Sequence, residues 1–218
     1  LCCRTTSSSI ITGGSLSEMI FERPMPSRES ECVRDAGLGV QPFVTIGMPV
    51  FNAEQYVGAA IERILCQTYP HFELIISDNA STDRTYSICK QAAEKDGRII
   101  LFRQPMNIGA PRNWNFLVHR AKGEFFKWAT GNDYCDAAFI ERCLDWLIPR
   151  PDFVLCSGLT EFIDGNGESL SVFRGDASTD QHRPHDRLAA IMGCGINNQQ
   201  QGVFRLSSLR RTALDRLY

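Results

Sequence analysis

The chain has 218 residues, of which 43% are hydrophobic and 22% are charged, and this composition is typical of a globular protein with a sizeable core. Lysine and arginine together number 23 and aspartate and glutamate 25, so the formal net charge is −2, which argues against a dedicated nucleic-acid-binding protein. No apolar run is long enough to span a bilayer, which argues against an integral membrane protein.

The two ends of the chain differ in composition from its middle. Residues 1–41 are rich in serine, glycine, proline and charge and have few periodically spaced apolar residues, so we predict a flexible N-terminal tail. A helix near the carboxyl terminus is predicted from the spacing of Leu206, Leu209, Ala213, Leu214 and Leu217. Because the chain stops within or just after that helix, we expect residues 42–218 to form a domain that is incomplete at its carboxyl end.

The nine cysteines are odd in number, and none lies in a CxxC or Cys/His cluster with zinc-binding spacing. Several stand where an apolar residue is expected: Cys89, Cys143 and Cys156. Buried free cysteine behaves as a small apolar residue, so we expect reduced thiols. Reduced cysteines predict a cytoplasmic protein, either free or peripheral to a membrane.

The first half of the chain begins with two strand-and-helix units. Residues 43–48 are apolar and β-branched and predict a strand, and Asn52 is predicted to cap the helix that follows. Residues 72–77 predict the second strand. The next helix can be capped by Ser81, Thr82 or Asp83.

Two further units follow with the same alternation. Residues 99–102 predict a strand, and Pro111 suits the first turn of the helix after it. Residues 124–129 predict the fourth strand, and Asp136 is predicted to cap the fourth helix.

The pattern changes after the fourth helix. Residues 153–157 predict a fifth strand, and residues 160–163 and 170–173 flank an Asp-Gly-Asn-Gly turn that predicts a hairpin. Four consecutive strand-and-helix units predict an open parallel sheet with right-handed crossovers. The hairpin predicts that this sheet is mixed.

Polar side chains gather where the predicted parallel strands end, which is where open α/β sheets bind ligands. Arg112, near a helix start, can hold a phosphate. Asp133 can ligate a divalent cation that also contacts phosphate oxygens, and Asp78, directly after a strand, can accept hydrogen bonds from a base or ribose. The alternative is that the loops are merely solvated, with Asp78 stabilising a turn, Asn52 capping a helix and Glu54 interacting with the helix dipole.

The order of these residues resembles the start of a family 2 glycosyltransferase with a GT-A fold. The family pattern has proline, an aromatic residue, asparagine and glutamate after the first strand, and aspartate with a Ser-Thr-Asp turn after the second. The matching residues are Pro49, Phe51, Asn52, Glu54, Asp78, Ser81, Thr82 and Asp83. The next family element, Asn-x-Gly followed by Arg-Asn, is matched by Asn107, Gly109, Arg112 and Asn113. The resemblance covers residues 42–165.

This resemblance implies a GT-A-like, Rossmann-type open α/β sheet, mostly parallel, with helices on both faces and a nucleotide-diphosphate sugar as donor. Asp78 would recognise the base, Arg112 would lie near the diphosphate, and Asp133 would ligate Mn²⁺ or Mg²⁺. Common family members read Asp-x-Asp-Asp or Asp-Asp at the metal motif, whereas this chain has Asn132 before Asp133. The amide of Asn132 can hydrogen-bond the donor sugar but adds no negative charge. The predicted donor-binding residues are Pro49, Phe51, Asn52, Glu54, Asp78, Asn107, Gly109, Arg112 and Asn132.

The resemblance also implies a general base on a later helix that deprotonates the acceptor hydroxyl. The acids that follow the hairpin are Asp176, Asp180, Asp186 and Asp215, and none matches that motif, so no catalytic residue is predicted. We expect inverting transfer of a sugar to an unidentified glycan, lipid or protein acceptor. One alternative is a nucleotide-sugar-binding module without transfer activity. Another is a nucleotidyltransferase, although its usual glycine-rich loop with Arg or Lys after the first strand is absent.

Overall fold

The computed structural model describes residues 2–6, 41–130, 134–163, 169–173, 183, 185–186, 189 and 199–212. Its strands are β1 (Cys2–Thr6), β2 (Val44–Val50), β3 (Phe72–Asp78), β4 (Ile99–Arg103), β5 (Phe125–Trp128), β6 (Tyr134–Cys135), β7 (Leu155–Cys156), β8 (Leu159–Ile163), β9 (Ser169–Phe173) and β10 (Val203–Arg205). Its α-helices include α1 (Val57–Leu65), α2 (Thr85–Lys95), α3 (Ala110–Arg120), α4 (Phe139–Leu147) and α5 (Leu206–Leu209).

The central sheet has six strands in the order β4-β3-β2-β5-β10-β7. Strands β4, β3, β2 and β5 run parallel, and β10 runs antiparallel to both β5 and β7. Parallel neighbours need a crossover connection, which the helices between the strands supply. This confirms the predicted α/β fold, and it brings the carboxyl ends of the four parallel strands to one side of the sheet. We call that side the carboxyl edge and the opposite side the amino edge.

The prediction of a mixed central sheet is confirmed, but the strands involved differ from those expected. The hairpin of β8 and β9 does not make the central sheet mixed, because it belongs to a second sheet in the order β6-β1-β8-β9. The antiparallel member of the central sheet is β10, which the sequence did not predict. The fifth strand, expected at residues 153–157, is only the two-residue β7, which joins the sheet through β10.

Strand β1 lies inside the region that we predicted to be a flexible tail. It pairs in parallel with β6 and antiparallel with β8, so residues 2–6 differ from that prediction. The rest of the predicted tail up to residue 40, the hairpin turn at residues 164–168 and the end of the predicted C-terminal helix at 213–218 lie outside the described residues.

Helices cover both faces of the central sheet and bury a core on each. Every residue of β3 is buried, as expected for a strand covered on both faces. Side chains alternate between the two faces along each strand, so Ile46 of β2 packs on the face of α1, α2 and α4, whereas Phe126 of β5 packs on the face of α3 and α5. None of the helices in the described part of the chain is long and apolar enough to cross a membrane.

A buried polar network ties the strands together at the amino edge. The hydroxyl of Thr45 donates to Glu73 Oε1 at 2.6 Å and accepts the backbone N–H of Gly123 at 2.9 Å. Glu73 also accepts the backbone N–H of Lys122 at 3.1 Å. A β-carbon on Gly123 would lie 2.6 Å from the backbone nitrogen of Thr45, so the chain approaches here as only glycine allows.

The helix starts differ from those predicted. Helix α1 begins at Val57, so Asn52 does not cap it, and α4 begins at Phe139, after a turn in which Asp136 Oδ1 accepts the backbone N–H of Ala138 at 2.9 Å. Pro111 does lie in the first turn of α3, as predicted. Side chains that resemble helix caps in the sequence thus stabilise the loops before the helices.

Candidate functional site

The carboxyl edge contains strained backbone. Asn52 after β2 has a φ of 47° and Ala80 after β3 has a φ of 60°, and these are the non-glycine residues with positive φ in the described part of the chain. Such conformations are unfavourable for residues with a side chain and persist only when surrounding contacts hold them. The two loops that carry them face each other across the edge.

Asn52 connects those two loops. Its backbone N–H donates to Ser81 Oγ at 3.0 Å, and its side-chain oxygen accepts the backbone N–H of Thr82 at 2.9 Å. These two hydrogen bonds explain how the positive φ is maintained. They also replace the helix-capping role that the sequence suggested for Asn52.

Glu54 and Asp83 add a second connection between the same loops. Glu54 Oε2 accepts the backbone N–H of Arg84 at 2.9 Å, and the backbone N–H of Glu54 donates to Asp83 Oδ2 at 3.2 Å. Asp83 Oδ1 accepts the backbone N–H of Thr85, the first residue of α2, at 2.9 Å. The carboxylates of Glu54 and Asp83 therefore join the loop after β2 to the loop after β3. We call these hydrogen-bonded loops the frame.

The loop after β4 is fixed to the loop after β3 by amide side chains. Asn79 Oδ1 accepts the backbone N–H of Ile108, and Asn79 Nδ2 donates to Asn107 Oδ1, both at 2.9 Å. Asn107 Oδ1 also accepts the backbone N–H of Gly109 at 2.9 Å. Gly109 has a φ of 84° at the start of α3, a conformation that favours glycine.

Helix α3 is anchored to the end of β3 by a buried asparagine. Asn113 Oδ1 accepts the hydroxyl of Ser77 at 2.6 Å, and Asn113 Nδ2 donates to the Ser77 carbonyl at 3.0 Å. This contact fixes the first turn of α3, where Arg112 is exposed. The helix N-terminus and an exposed cation therefore lie together at the carboxyl edge.

Asp78 occupies the last position of β3 and is fully buried, with 0% exposure. Both of its carboxylate oxygens lie 3.3 Å from the backbone nitrogen of Ser81, and Oδ2 lies 3.4 Å from Arg103 Nε. Arg103 also donates from Nη2 to the Ser81 carbonyl at 3.1 Å, and its guanidinium lies over the ring of Tyr86 at 4.4 Å. Burial, followed by the nearby charge of Asp78, raises the pKa of Cys89 to about 12, which keeps that thiol protonated.

Most of the predicted residues hold the loops together, and several predicted side chains are also accessible. Phe51 has 47% exposure, Arg112 is exposed and Pro49 is half-buried, so these side chains line the surface that a ligand can reach. Asn132 and Asp133 lie outside the described residues. Among the residues that the structure describes, no group of three or more His, Cys, Asp or Glu side chains is placed to hold a metal ion.

A cleft lies between α1 and α4. Its lining includes Lys127, Thr130 and Cys135, which flank residues 131–133 in the sequence. The ammonium of Lys127 is held by the carbonyls of Trp128 at 3.1 Å and Gln201 at 2.7 Å. The described surface next to the predicted metal motif is therefore a mostly apolar cleft with a few polar side chains.

The sequence interpretation missed Arg103, Asn79 and Tyr86. Arg103 is the last residue of β4 and is the register partner of Asp78. Its position directly after the predicted strand at residues 99–102 was the available signal, and it was not used. Tyr86 lies in α2, and its contact with Arg103 depends on the packing of α2 against β4.

The fold is that of the GT-A transferases. A mannosyltransferase from Pyrobaculum calidifontis in complex with GDP-Man and Mn²⁺ superposes with a TM-score of 0.58 at 20% identity, over 79% of this chain and 47% of that chain. S. aureus TarS 1–349 in complex with UDP-GlcNAc superposes with a TM-score of 0.58 at 18% identity, over 77% of this chain and 46% of that chain.

The chain belongs to glycosyltransferase family 2, whose family model matches residues 45–215. An uncharacterized glycosyltransferase of Haemophilus influenzae is 30% identical over 131 residues, covering 60% of this chain and 52% of the relative. A Bacillus subtilis glycosyltransferase assigned to teichuronic acid biosynthesis, TuaG, is 31% identical over 171 residues, covering 78% of this chain and 68% of the relative. The chain therefore spans about half to two thirds of the length of these two relatives.

Proposed function

We propose that this chain is the donor-binding part of a glycosyltransferase that transfers a sugar from a nucleotide-diphosphate sugar to an acceptor, with inversion at the anomeric carbon. The observation that carries the proposal is the arrangement of the carboxyl edge. Hydrogen bonds join the family-pattern loops into one frame, and that frame leaves Phe51 and Arg112 accessible to a ligand. Family membership and the nucleotide sugars bound to structurally similar enzymes support the same function.

The diphosphate would bind at the start of α3. Arg112 is exposed there, and the unpaired backbone N–H groups of a helix N-terminus favour anions. Gly109 and Asn107 shape the turn that precedes the helix. Neutralising the charge that develops on the departing diphosphate is the chief contribution that these groups can make to transfer.

A divalent cation, Mn²⁺ or Mg²⁺, belongs to this proposal, with Asp133 as its protein ligand and Asn132 as a contact to the donor sugar. The described residues on either side are compatible with that location. Ala129, four residues before Asp133, donates its backbone N–H to the Gly47 carbonyl at 2.9 Å, within the parallel sheet near its carboxyl edge. When bound, the cation supplies further positive charge next to the diphosphate.

The metal proposal has a direct test in Asn132→Asp. This change adds a second carboxylate next to Asp133, so we expect tighter Mn²⁺ binding in a calorimetric titration. Equal or weaker Mn²⁺ affinity would contradict a metal site at these residues. An unchanged free energy of unfolding in the absence of metal serves as the control for an intact fold.

A second candidate function is nucleotide-sugar binding without transfer. It is favoured by Asn132 in place of a family aspartate and by the absence of a matching base among Asp176, Asp180, Asp186 and Asp215. For the whole enzyme, the proposed acceptor is a glycan, a lipid or a protein. The proposed location of the enzyme is the cytoplasm, either free or peripheral to a membrane.

The proposed function is tested with UDP-, GDP- and dTDP-sugars, each with and without Mn²⁺ or Mg²⁺. We expect one nucleotide series to raise the melting temperature of the chain, because a ligand that binds the folded state stabilises it. Sugar transfer to an acceptor panel then separates an enzyme from a binding module. Failure of every nucleotide sugar to bind the folded chain would overturn both candidates.

A further inference from the structure

Arg103 and Asp78 end two neighbouring parallel strands and are register partners at the carboxyl edge. Three contacts fix the guanidinium of Arg103: Asp78 at 3.4 Å, the Ser81 carbonyl at 3.1 Å and the ring of Tyr86 at 4.4 Å. The side chain of Arg103 nevertheless has 49% exposure, whereas that of Asp78 has 0%. A ligand that approaches this strand end therefore meets Arg103 before it meets Asp78.

The guanidinium is held in place before any ligand binds. A side chain that is already ordered loses little conformational freedom on binding, so its contacts contribute more fully to affinity. Arginine has five N–H donors in a planar fork, and the contacts with Asp78 and Ser81 use only part of that set. An accessible guanidinium can donate to a carbonyl oxygen and can also stack on a flat ring.

We propose that Arg103 is a nucleoside-binding residue of the donor site, contacting the base of the nucleotide, and that Asp78 acts through Arg103 as the residue that positions it. This inference rests on the proposed function, because it assigns a role within the same donor site. The sequence predicted that Asp78 contacts the base, and we now assign part of that contact to Arg103. Tyr86 supports the face of the guanidinium opposite to the ligand.

Charge and position favour the base over the diphosphate as the partner of Arg103. Asp78 lies next to the guanidinium and offsets its positive charge, so its attraction for an anion is reduced. Arg112 is exposed on α3, which covers one face of the sheet, whereas Arg103 contacts Tyr86 on α2, which covers the other face. Stacking and donation to a base carbonyl do not depend on a net positive charge.

The amino edge provides a matched control in Arg98. Its guanidinium contacts Asp96 at 2.8 Å and lies 4.6 Å from the ring of Phe72, and its side chain has 35% exposure. Arg98 thus repeats the carboxylate and aromatic contacts of Arg103 at the opposite end of β4. Loss of Arg98 should affect stability in a similar way without affecting ligand binding.

The experiment compares Arg103→Met and Arg98→Met by calorimetry, with UDP, GDP and dTDP, and with inorganic pyrophosphate as a probe that has no base. We expect Arg103→Met to weaken the binding of the preferred nucleoside diphosphate at least about tenfold, which is the scale of a lost charge-assisted hydrogen bond. Pyrophosphate affinity should stay within about twofold in that variant, and Arg98→Met should bind both probes as the unaltered chain does.

Two outcomes would overturn the inference. Unchanged nucleotide affinity in folded Arg103→Met would mean that Arg103 makes no contact. An equal loss of affinity for pyrophosphate would mean that Arg103 contacts the phosphates rather than the base. If the unaltered chain bound no nucleoside diphosphate, the proposed function itself would fail, which is a separate result.

A second measurement does not require Arg103→Met to fold. The Nε–H signal of Arg103 in an NMR spectrum of the unaltered chain can be assigned by its absence from the spectrum of Arg103→Lys. Adding the preferred nucleoside diphosphate should shift this signal, and adding pyrophosphate should not. The Nε–H signal of Arg98 should stay in place in both titrations, and a stationary Arg103 signal would contradict the inference.

Discussion

The amino and carboxyl edges of the central sheet each place an arginine next to an aspartate and an aromatic ring, but the two edges differ in what they leave accessible. At the amino edge, Asp96 accepts hydrogen bonds from the side chain and the backbone N–H of Arg98, and these bonds lower its pKa. At the carboxyl edge, Asp78 is fully buried and Arg103 keeps half of its side chain exposed. The same residue types thus complete local contacts at one edge, whereas at the other the arginine is more exposed and is proposed to contact a ligand.

The backbone shows the same contrast. At the amino edge the backbone packs closely around Gly123, whereas the carboxyl edge contains the positive φ angles of Asn52 and Ala80. Strained conformations are retained where a site needs a defined geometry. We therefore expect the amino edge to contribute chiefly to stability and the carboxyl edge to ligand binding.

The largest effect on stability is expected from Gly123→Ala. The added β-carbon would lie within 2.7 Å of backbone atoms of Thr45, Phe125 and Phe43, none of which can rotate away. We expect a loss of about 3 kcal/mol in the free energy of unfolding, measured by chemical denaturation. Gly97→Ala is the control, because nothing lies within 4 Å of its added β-carbon, and equal stability of the two variants would contradict this view of the amino edge.

Arg112→Met should separate binding from stability. Removing an exposed cation at the start of α3 should weaken the binding of a nucleoside diphosphate by about 1.5–3 kcal/mol. The free energy of unfolding should change by less than about 0.5 kcal/mol. Calorimetry and denaturation of the same preparation measure the two quantities. A folded variant with unchanged affinity would remove Arg112 from the donor site.

Replacing Asn52 tests the strained loop. Asn52→Ala removes the acceptor for Thr82 and leaves a β-carbon at a φ of 47°, whereas Asn52→Gly removes the same acceptor but tolerates that φ. We expect the alanine variant to be less stable than the glycine variant by about 1 kcal/mol. Equal denaturation midpoints would show that backbone strain at this position has no energetic consequence.

The smallest effect is expected from Glu54→Gln. The ion pair of Glu54 with Arg84 at 3.3 Å is largely exposed, and such pairs contribute about 0–1 kcal/mol. The glutamine oxygen can still accept the backbone N–H of Arg84, so the loop should keep its position. A loss above about 2 kcal/mol would mean that the charge itself holds the two loops together.

Local sequence patterns predicted the parallel part of the fold well. The apolar run of β3 was placed within one residue of its observed end, because a strand covered on both faces has few polar interruptions. Strand β10 was missed because Val203–Arg205 is too short to show a period and forms through pairing with the distant β5. Local periodicity therefore identified only those strands and helices whose own residues carry a pattern.

The candidate site was predicted in composition but only partly in geometry. Asn52 matches a helix cap in sequence, yet its partners Ser81 and Thr82 lie about thirty residues away, and no local rule reveals them. The full burial of Asp78 and its contact with Arg103 likewise arise only when β3 pairs with β4. Contacts between loops at a sheet edge depend on strand order, which one sequence does not display.

Hydrogen exchange measured by mass spectrometry, with and without the nucleotide sugar that gives the largest thermal shift, tests the central claim most directly. We predict slower exchange in the carboxyl-edge segments 49–54, 78–84 and 104–112. We predict unchanged exchange in the amino-edge segments 43–46 and 121–124, because local protection follows the contacts a ligand makes. Protection confined to the amino edge, or no protection in any carboxyl-edge segment at a saturating concentration of nucleotide sugar, would contradict that claim.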